Sequence, residues 1–287
     1  MKSRQMLTAL ALGLLLAPAV HAQTVDEILG KHFEAQGGVE KLKALNTMRI
    51  TGSMTVGQGM EAPIVMERKR PGRQRIEFTF QGMVGAQAFD GEQAWSLMPF
   101  MGKKDPELAS EEDTKLQKED ADFDGPLLDW KAKGHTVELA GKEPVEGAEA
   151  FKLKVTKKNG NVDYYYIDAE TYLLVKQEGK RKRQGTEFEG ESFFSDYKDV
   201  SGYMLPYSIE QGAKGAPQRQ KMTFTKIELN VPIDDARFRM PAVASSDTTK
   251  AEAKTAAAVD TTKAADPKAT AAKKSDPKAA KGKKKDQ

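Results

Sequence analysis

From Ile64 to Phe100, apolar and polar side chains take turns along the chain. Ile64 and Met66 oppose Val65, Glu67 and Lys69, and Ile76, Phe78 and Phe80 oppose Arg75, Glu77 and Thr79. A period of two is that of a strand with one apolar and one wet face. Arg70-Pro71-Gly72 and Phe89-Asp90-Gly91 punctuate the run as turns, and a short strand passes through Trp95 to Leu97. Upstream, Met48, Ile50, Met54 and Val56 point one way, while Thr47, Arg49, Thr51, Ser53 and Thr55 point the other, with Gly52 leaving a gap. The pattern predicts five antiparallel strands between Met48 and Leu97, joined by hairpins.

Two helices precede them. Thr24-Val25-Asp26-Glu27 has the form of a capping box, with a hydroxyl at the cap and a carboxylate three residues on. Val25, Ile28, Leu29, Phe33 and Gln36 follow at helical spacing, Gly37-Gly38 stops the helix, and Val39 to Leu45 forms a second short one. Between Pro99 and Trp130 the alternation breaks for 32 residues, with Glu107 to Leu116 a helix candidate and apolar content in Phe123, Leu127, Leu128 and Trp130. A connection of that length is typical of a functional lid or a disordered segment, and its apolar ends suit a lid. Strand patterns resume at Thr136–Leu139, Ala150–Thr156, Val162–Ile167, Tyr172–Gln177, Glu187–Tyr197, Tyr203–Glu210 and Gln218–Asn230. The chain thus predicts an α+β, mainly β domain of ten to twelve antiparallel strands.

Both ends stand apart from this pattern. Residues 1–22 pair a basic start (Lys2, Arg4) with an apolar run and a Val20-His21-Ala22 exit, the form of a cleaved secretory signal. The apolar run is too short to span a bilayer. Without cysteine, neither disulfides nor cysteine acylation can occur, so a soluble periplasmic protein is expected. Residues 242–287 are almost all Ala, Lys, Thr, Asp, Pro and Ser, with nothing bulky to bury, and are expected to be disordered. Eleven Lys against five Asp and one Glu give that tail +5, the signal holds +2, and the whole chain is +3, so residues 23–241 carry about −4. The basicity therefore belongs to the tail, whose expected contact is an anionic membrane surface or cell wall, or which serves as a solubilising spacer. Nucleic acid is not an expected partner.

Chemistry finds little purchase. His32 sits on an amphipathic helix and His135 at a strand start, neither near a nucleophile elbow, and no set of ligands has zinc spacing. Asp120, Asp122 and Asp124 precede Gly125, but a calcium loop would need a glutamate where Lys131 stands, so a solvated acidic loop is expected. Gly57, Gly59, Gly82 and Gly85 belong to turns with no phosphate cradle. Lys180-Arg181-Lys182-Arg183 reads as a solvated turn or as a contact for an anionic headgroup or acidic partner. These features predict no enzyme, no cofactor and no metal. Methionine, by contrast, is concentrated in the first strands: Met48, Met54, Met60, Met66, Met83, Met98 and Met101. Such flexible, polarisable side chains suit a surface that accepts varied apolar shapes. A large sheet under two short helices and a loop also has more apolar face than its cover can bury.

The order of motifs resembles the LolA/LolB-like outer-membrane lipoprotein-sorting family. The resemblance rests on Ala35-Gln36-Gly37-Gly38, Arg68-Lys69-Arg70-Pro71, Phe89-Asp90-Gly91-Glu92-Gln93-Ala94-Trp95 with Pro99-Phe100, Gly202-Tyr203-Met204-Leu205-Pro206, and Ile233-Asp234-Asp235-Ala236-Arg237-Phe238. It implies a half barrel of about eleven strands with short helices covering the concave face and an acyl-lined cavity between them. It also implies a monomeric carrier of acylated lipoprotein or lipid, passing cargo from an inner-membrane donor to an outer-membrane acceptor. In the family an arginine before the strand-end proline holds the lid closed, and Arg70 has the matching place. The charged insertion and the long tail depart from the small carriers. On this reading the lipid-binding lining is Met48, Ile50, Met54, Ile64, Met66, Ile76, Phe78, Phe80 and Trp95, with Phe100, Leu127 and Leu128 at the lid and Arg70 as latch. The alternative is an envelope protein-interaction or stress-sensing module on the same fold.

Overall fold

The computed structural model describes residues 23–57, 59–183 and 186–242, so the expected signal and nearly all of the tail lie outside the described residues. Helices α1 (Val25–Ala35) and α2 (Val39–Ala44) lead into a thirteen-stranded antiparallel sheet. Its first arm is β1 (Thr47–Val56), β2 (Met60–Lys69), β3 (Arg73–Phe80), β4 (Met83–Phe89), β5 (Ala94–Met98) and β6 (Lys103–Leu108). After α3 (Glu111–Asp120) come β7 (Thr136–Val145), β8 (Ala148–Thr156), β9 (Val162–Asp168), β10 (Leu174–Arg183), β11 (Thr186–Val200), β12 (Tyr203–Ala213) and β13 (Gln220–Leu229). Each strand pairs with its chain neighbour, and β13 closes onto β1, giving the order β6-β5-β4-β3-β2-β1-β13-β12-β11-β10-β9-β8-β7. The ends, β6 and β7, do not pair with each other.

Three details differ from the expectation. Lys103–Leu108, inside the stretch read as patternless, forms β6, an edge strand where Pro106 costs no ladder hydrogen bond. The helix of that stretch begins at Glu111, where Ser110 Oγ accepts from Asp113 N at 3.1 Å, and not at Glu107. The Lys180–Arg183 run continues β10 instead of turning. The capping box at α1 is present: Thr24 Oγ1 accepts from Glu27 N (3.3 Å), and Glu27 Oε2 from Thr24 N (2.8 Å). Gly52 sits at a bulge between β1 and β13, where a Cβ would run into the Thr223 carbonyl.

The sheet must curl. On α3, Gln117 Oε1 accepts from Gln74 of β3 at 2.6 Å, and Glu119 accepts from Asn159 (2.5 Å) and Lys157 (3.3 Å) in the β8–β9 turn. Strands β3 and β8 are eight places apart in the sheet order. At about 4.8 Å per strand a flat sheet would hold them roughly 38 Å apart, beyond the reach of side chains two residues apart on one helix. Both arms therefore fold up around α3, and the face it touches is the concave one.

Cross-strand register assigns the faces. Met48, Ile50 and Met54 share the concave side with Ile64, Met66, Ile76 and Phe78. Thr47, Arg49, Glu67 and Arg75 share the convex side. On that side the closing segment is stitched down through the convex groups: Thr47 donates to the Val231 carbonyl (2.6 Å), Lys69 to that of Ile233 (2.7 Å) and Arg75 to that of Arg237 (3.0 Å). Glu67, 2% exposed, accepts from Arg49 and Arg237, each at 2.9 Å, so its buried charge is matched on both oxygens.

Candidate functional site

The concave face is built in two parts. In the β7–β10 arm, α1 lays Ile28 and Leu29 on Val137, Phe151, Leu153, Val155, Tyr165 and Ile167, and Leu127 of the β6–β7 connection fills the same cluster. His32 is buried there, its Nδ1 donating to the Tyr172 carbonyl at 2.8 Å, and burial pushes its pKa below the ordinary histidine value. This arm is a sealed core.

In the other part, β1–β3 and β13, the wall has no such cover. Ile50, Ile64, Met222, Phe224 and Ile227 form its floor. Met48, Met54, Met66, Ile76, Phe78 and Phe80 remain partly exposed. Phe100, on a short 3-10 turn after β5, sets its ring 5.4 Å from that of Phe78 and 5.9 Å from that of Phe80. Gly85 makes this possible, because a Cβ there would lie 2.6 Å from the Phe100 ring. Two open hollows lie elsewhere: about 580 Å³ beside Asn46, Lys69 and Pro232, and about 480 Å³ between α3 and the ends of β9 and β10. Both are rimmed with polar groups.

A cluster of polar contacts ties the cover to the first arm. Arg70 directly follows β2, and its bond to Pro71 is cis. Its Nε donates to the Leu45 carbonyl (2.6 Å) and one terminal nitrogen to that of Leu42 (3.0 Å), both at the end of α2. The same guanidinium grips Asp124 bidentately at 2.5 and 2.6 Å. Two residues earlier on the same face, Arg68 donates to the Asp120 (3.0 Å) and Asp122 (2.9 Å) carbonyls. Both guanidinium groups lie over the Phe123 ring, at 4.7 and 5.3 Å. The hydrogen bond from Arg70 holds the Asp124 carboxyl below its usual pKa. Asp122 pairs with Lys133 at 2.6 Å, so two of the three aspartates expected in a solvated loop are instead ion-paired. Among the described residues no three His, Asp or Glu side chains gather as a metal site. Helix α2 buries none of its residues and serves this cluster as a carbonyl acceptor.

The structure therefore divides the twelve lining positions. Met48, Ile50, Met54, Ile64, Met66, Ile76, Phe78, Phe80 and Phe100 come together on the concave wall. Leu127 belongs to the sealed core, and Leu128 is buried. Trp95 lies on the opposite face: it pairs with Ala88, packs with Ala86 and Met240, and donates from Nε1 to the Phe238 carbonyl at 2.7 Å. The Asp90–Gln93 turn sets that parity, and alternation alone could not carry a face assignment across it. Sequence reading missed Arg68, Phe123 and Asp124 as partners, although Arg68 and Arg70 are spaced for one face and the aspartates stand in a single loop.

No protein-family model matches the chain, and no curated protein matches it. Solved structures do. A DUF1329 family protein from Desulfovibrio piger aligns with a TM-score of 0.53 at 13% identity, over 75% of this chain and 97% of that one. The chain shares the fold of that protein. A LolA superfamily protein from Nitrosomonas europaea aligns at 0.49 and 15% identity, over 76% and 98% of the two chains. A domain from Vibrio parahaemolyticus described as an outer membrane lipoprotein-sorting protein aligns at 0.49 and 14% identity, over 73% and 97%. At these identities the likeness is one of architecture. No helix among the described residues is long and apolar enough to cross a membrane.

Proposed function

We propose that this chain is a periplasmic, non-enzymatic carrier that holds the acyl chains of a lipoprotein or related lipid on its concave face. The observation that carries the reading is the half-exposed apolar wall of β1–β3 and β13, beside an arm of the same sheet that is sealed. The Ala109–His135 connection acts as the lid, and Arg70 as its latch, because one side chain joins the end of α2 to Asp124 of the connection. Magnitudes support reversible binding. Burying ten methylenes yields about 8 kcal/mol. The charge-assisted bonds of the latch contribute about 1.5–3 kcal/mol each. Loading and latch opening are thus of one size, as release as well as capture requires.

In this reading residues 1–22 are a cleaved export signal, cargo comes from an inner-membrane donor and goes to an outer-membrane acceptor, and the basic tail touches an anionic envelope surface. The test is native purification of the mature protein, extraction with organic solvent, and mass spectrometry for co-purified lipid. Acyl-bearing lipid in the extract supports the carrier. A protein that is empty and also fails to bind an acylated peptide overturns it and leaves the interaction-module reading.

A further inference from the structure

The concave face carries a feature that a purely apolar chain would not need. Tyr165, Gln177, Ser192, Gln211 and Gln220, on β9 through β13, are successive cross-strand partners, so they form one uncharged polar row across five strands. Two residues along from that row on β11, β12 and β13, Phe194, Ile209 and Met222 form a parallel apolar row on the same face, continued by Met54 of β1 and Ala62 of β2. The rows are about 7 Å apart. On the far side of the polar row, Gly179, Gly190 and Ala213 are partners in turn; the Asp163 carboxylate and the Arg181 guanidinium lie over Gly179, while nothing nearer than ordinary contact lies over Gly190.

The polar row is partly self-satisfied and partly open. Gln177 donates from Nε2 to the Tyr165 hydroxyl at 3.0 Å, and Gln211 donates from Nε2 to Gln220 Oε1 at 3.1 Å. Gln177, Ser192 and Gln220 are partly exposed, and Gln211 is exposed, so the strip can still bond a ligand. The nearest ionic group on this face, Asp163, has no exposed surface and is held by Arg181 at 2.7 Å and Lys157 at 2.8 Å, so both cations are already engaged.

We infer that the concave face selects an amphiphile with an uncharged, hydrogen-bonding head, of the monoacylglycerol ester type, over one with an anionic head. The chain lies along the apolar row and the head's hydroxyl and carbonyl groups meet the amides of the polar row. The inference rests on the carrier reading and narrows its substrate class. An anionic head would lose hydration here beside cations that Asp163 already holds, whereas a glyceryl ester exchanges water for amide partners.

The experiment loads the mature protein with the fluorescent hydrocarbon diphenylhexatriene and displaces it with monoolein or with oleate, which share one chain and differ in the head. Monoolein is expected to displace at concentrations about tenfold lower than oleate. The double variant Gln177→Leu, Gln211→Leu should still take up the hydrocarbon but lose that preference, and Ser192→Val provides a milder second variant with a smaller loss. Oleate displacing as well as or better than monoolein from the wild-type protein overturns the inference while leaving the carrier intact. So does a preference that both variants retain. Failure of the wild-type protein to take up the hydrocarbon or either lipid removes the carrier reading and this inference with it.

Discussion

Between β7 and β9, Leu153, Val155 and Ile167 have no exposed surface, whereas on β1–β3 Met54, Met66, Ile76, Phe78 and Phe80 are each partly exposed. The two regions belong to one sheet, lie on its same face and are similarly apolar in sequence. They differ in what sits on them. Helix α1 and Leu127 close the first. The second receives Phe100 and the polar strap of α3, none of whose residues is buried. Equal hydrophobicity thus produced a core in one place and a candidate binding wall in the other, because cover and not composition decides which apolar surface stays available.

The strongest way to break the comparison is a pair of truncations. Leu153→Ala in the sealed arm is expected to cost about 2–5 kcal/mol of stability, read as a lower denaturation midpoint at unchanged slope. Phe78→Ala on the open wall should cost less, about 1–2 kcal/mol, while weakening uptake of an acyl probe. Equal destabilisation by both would make the wall an ordinary core. The next largest effect concerns the latch. Arg70→Leu is expected to change the release rate of bound acyl chains by about tenfold with a smaller change in folding stability. Unchanged transfer kinetics would take Arg70 out of the mechanism.

The smallest expected effect is one of pH, and it separates the two regions. Burial lowers the His32 pKa in the folded chain, so the unfolded chain takes up the proton first as pH falls. Stability lent by the sealed arm should therefore decline as pH drops through the ordinary value of 6.5. Asp124 has the same sign in a more acid window: its depressed pKa contributes stability that is present above its ordinary value of 3.8 and is lost as pH falls below it. Denaturation curves between pH 7 and 3, with His32→Phe as control, should show the upper decline vanish in the variant. A variant that keeps it would place that acid sensitivity elsewhere.

Much of this was legible in one dimension. Alternation located β1 to β5, the Thr24 cap began α1 where expected, and the concave lining from Met48 to Phe80 came out on one face. Lys103–Leu108 was not legible as a strand, since a charged, proline-bearing hexapeptide acquires strand form only by pairing with β5 at an edge. The pairing of Asp122 with Lys133 and of Asp124 with Arg70 was equally hidden, because both aspartates lie in the connection between α3 and β7, whose path periodicity does not encode.

What the amino-acid order determined by itself was the local alphabet: a two-residue period, turn residues, caps, and which side chains share a face within one strand. Those follow from backbone geometry and need no distant partner. The tertiary structure decided which face curls inward, that Trp95 faces away from the lining, that Leu127 completes a core, and that the wall of β1–β3 stays partly open. Each depends on contacts between segments far apart in the chain, where curl, cover and the parity across a turn are settled by packing.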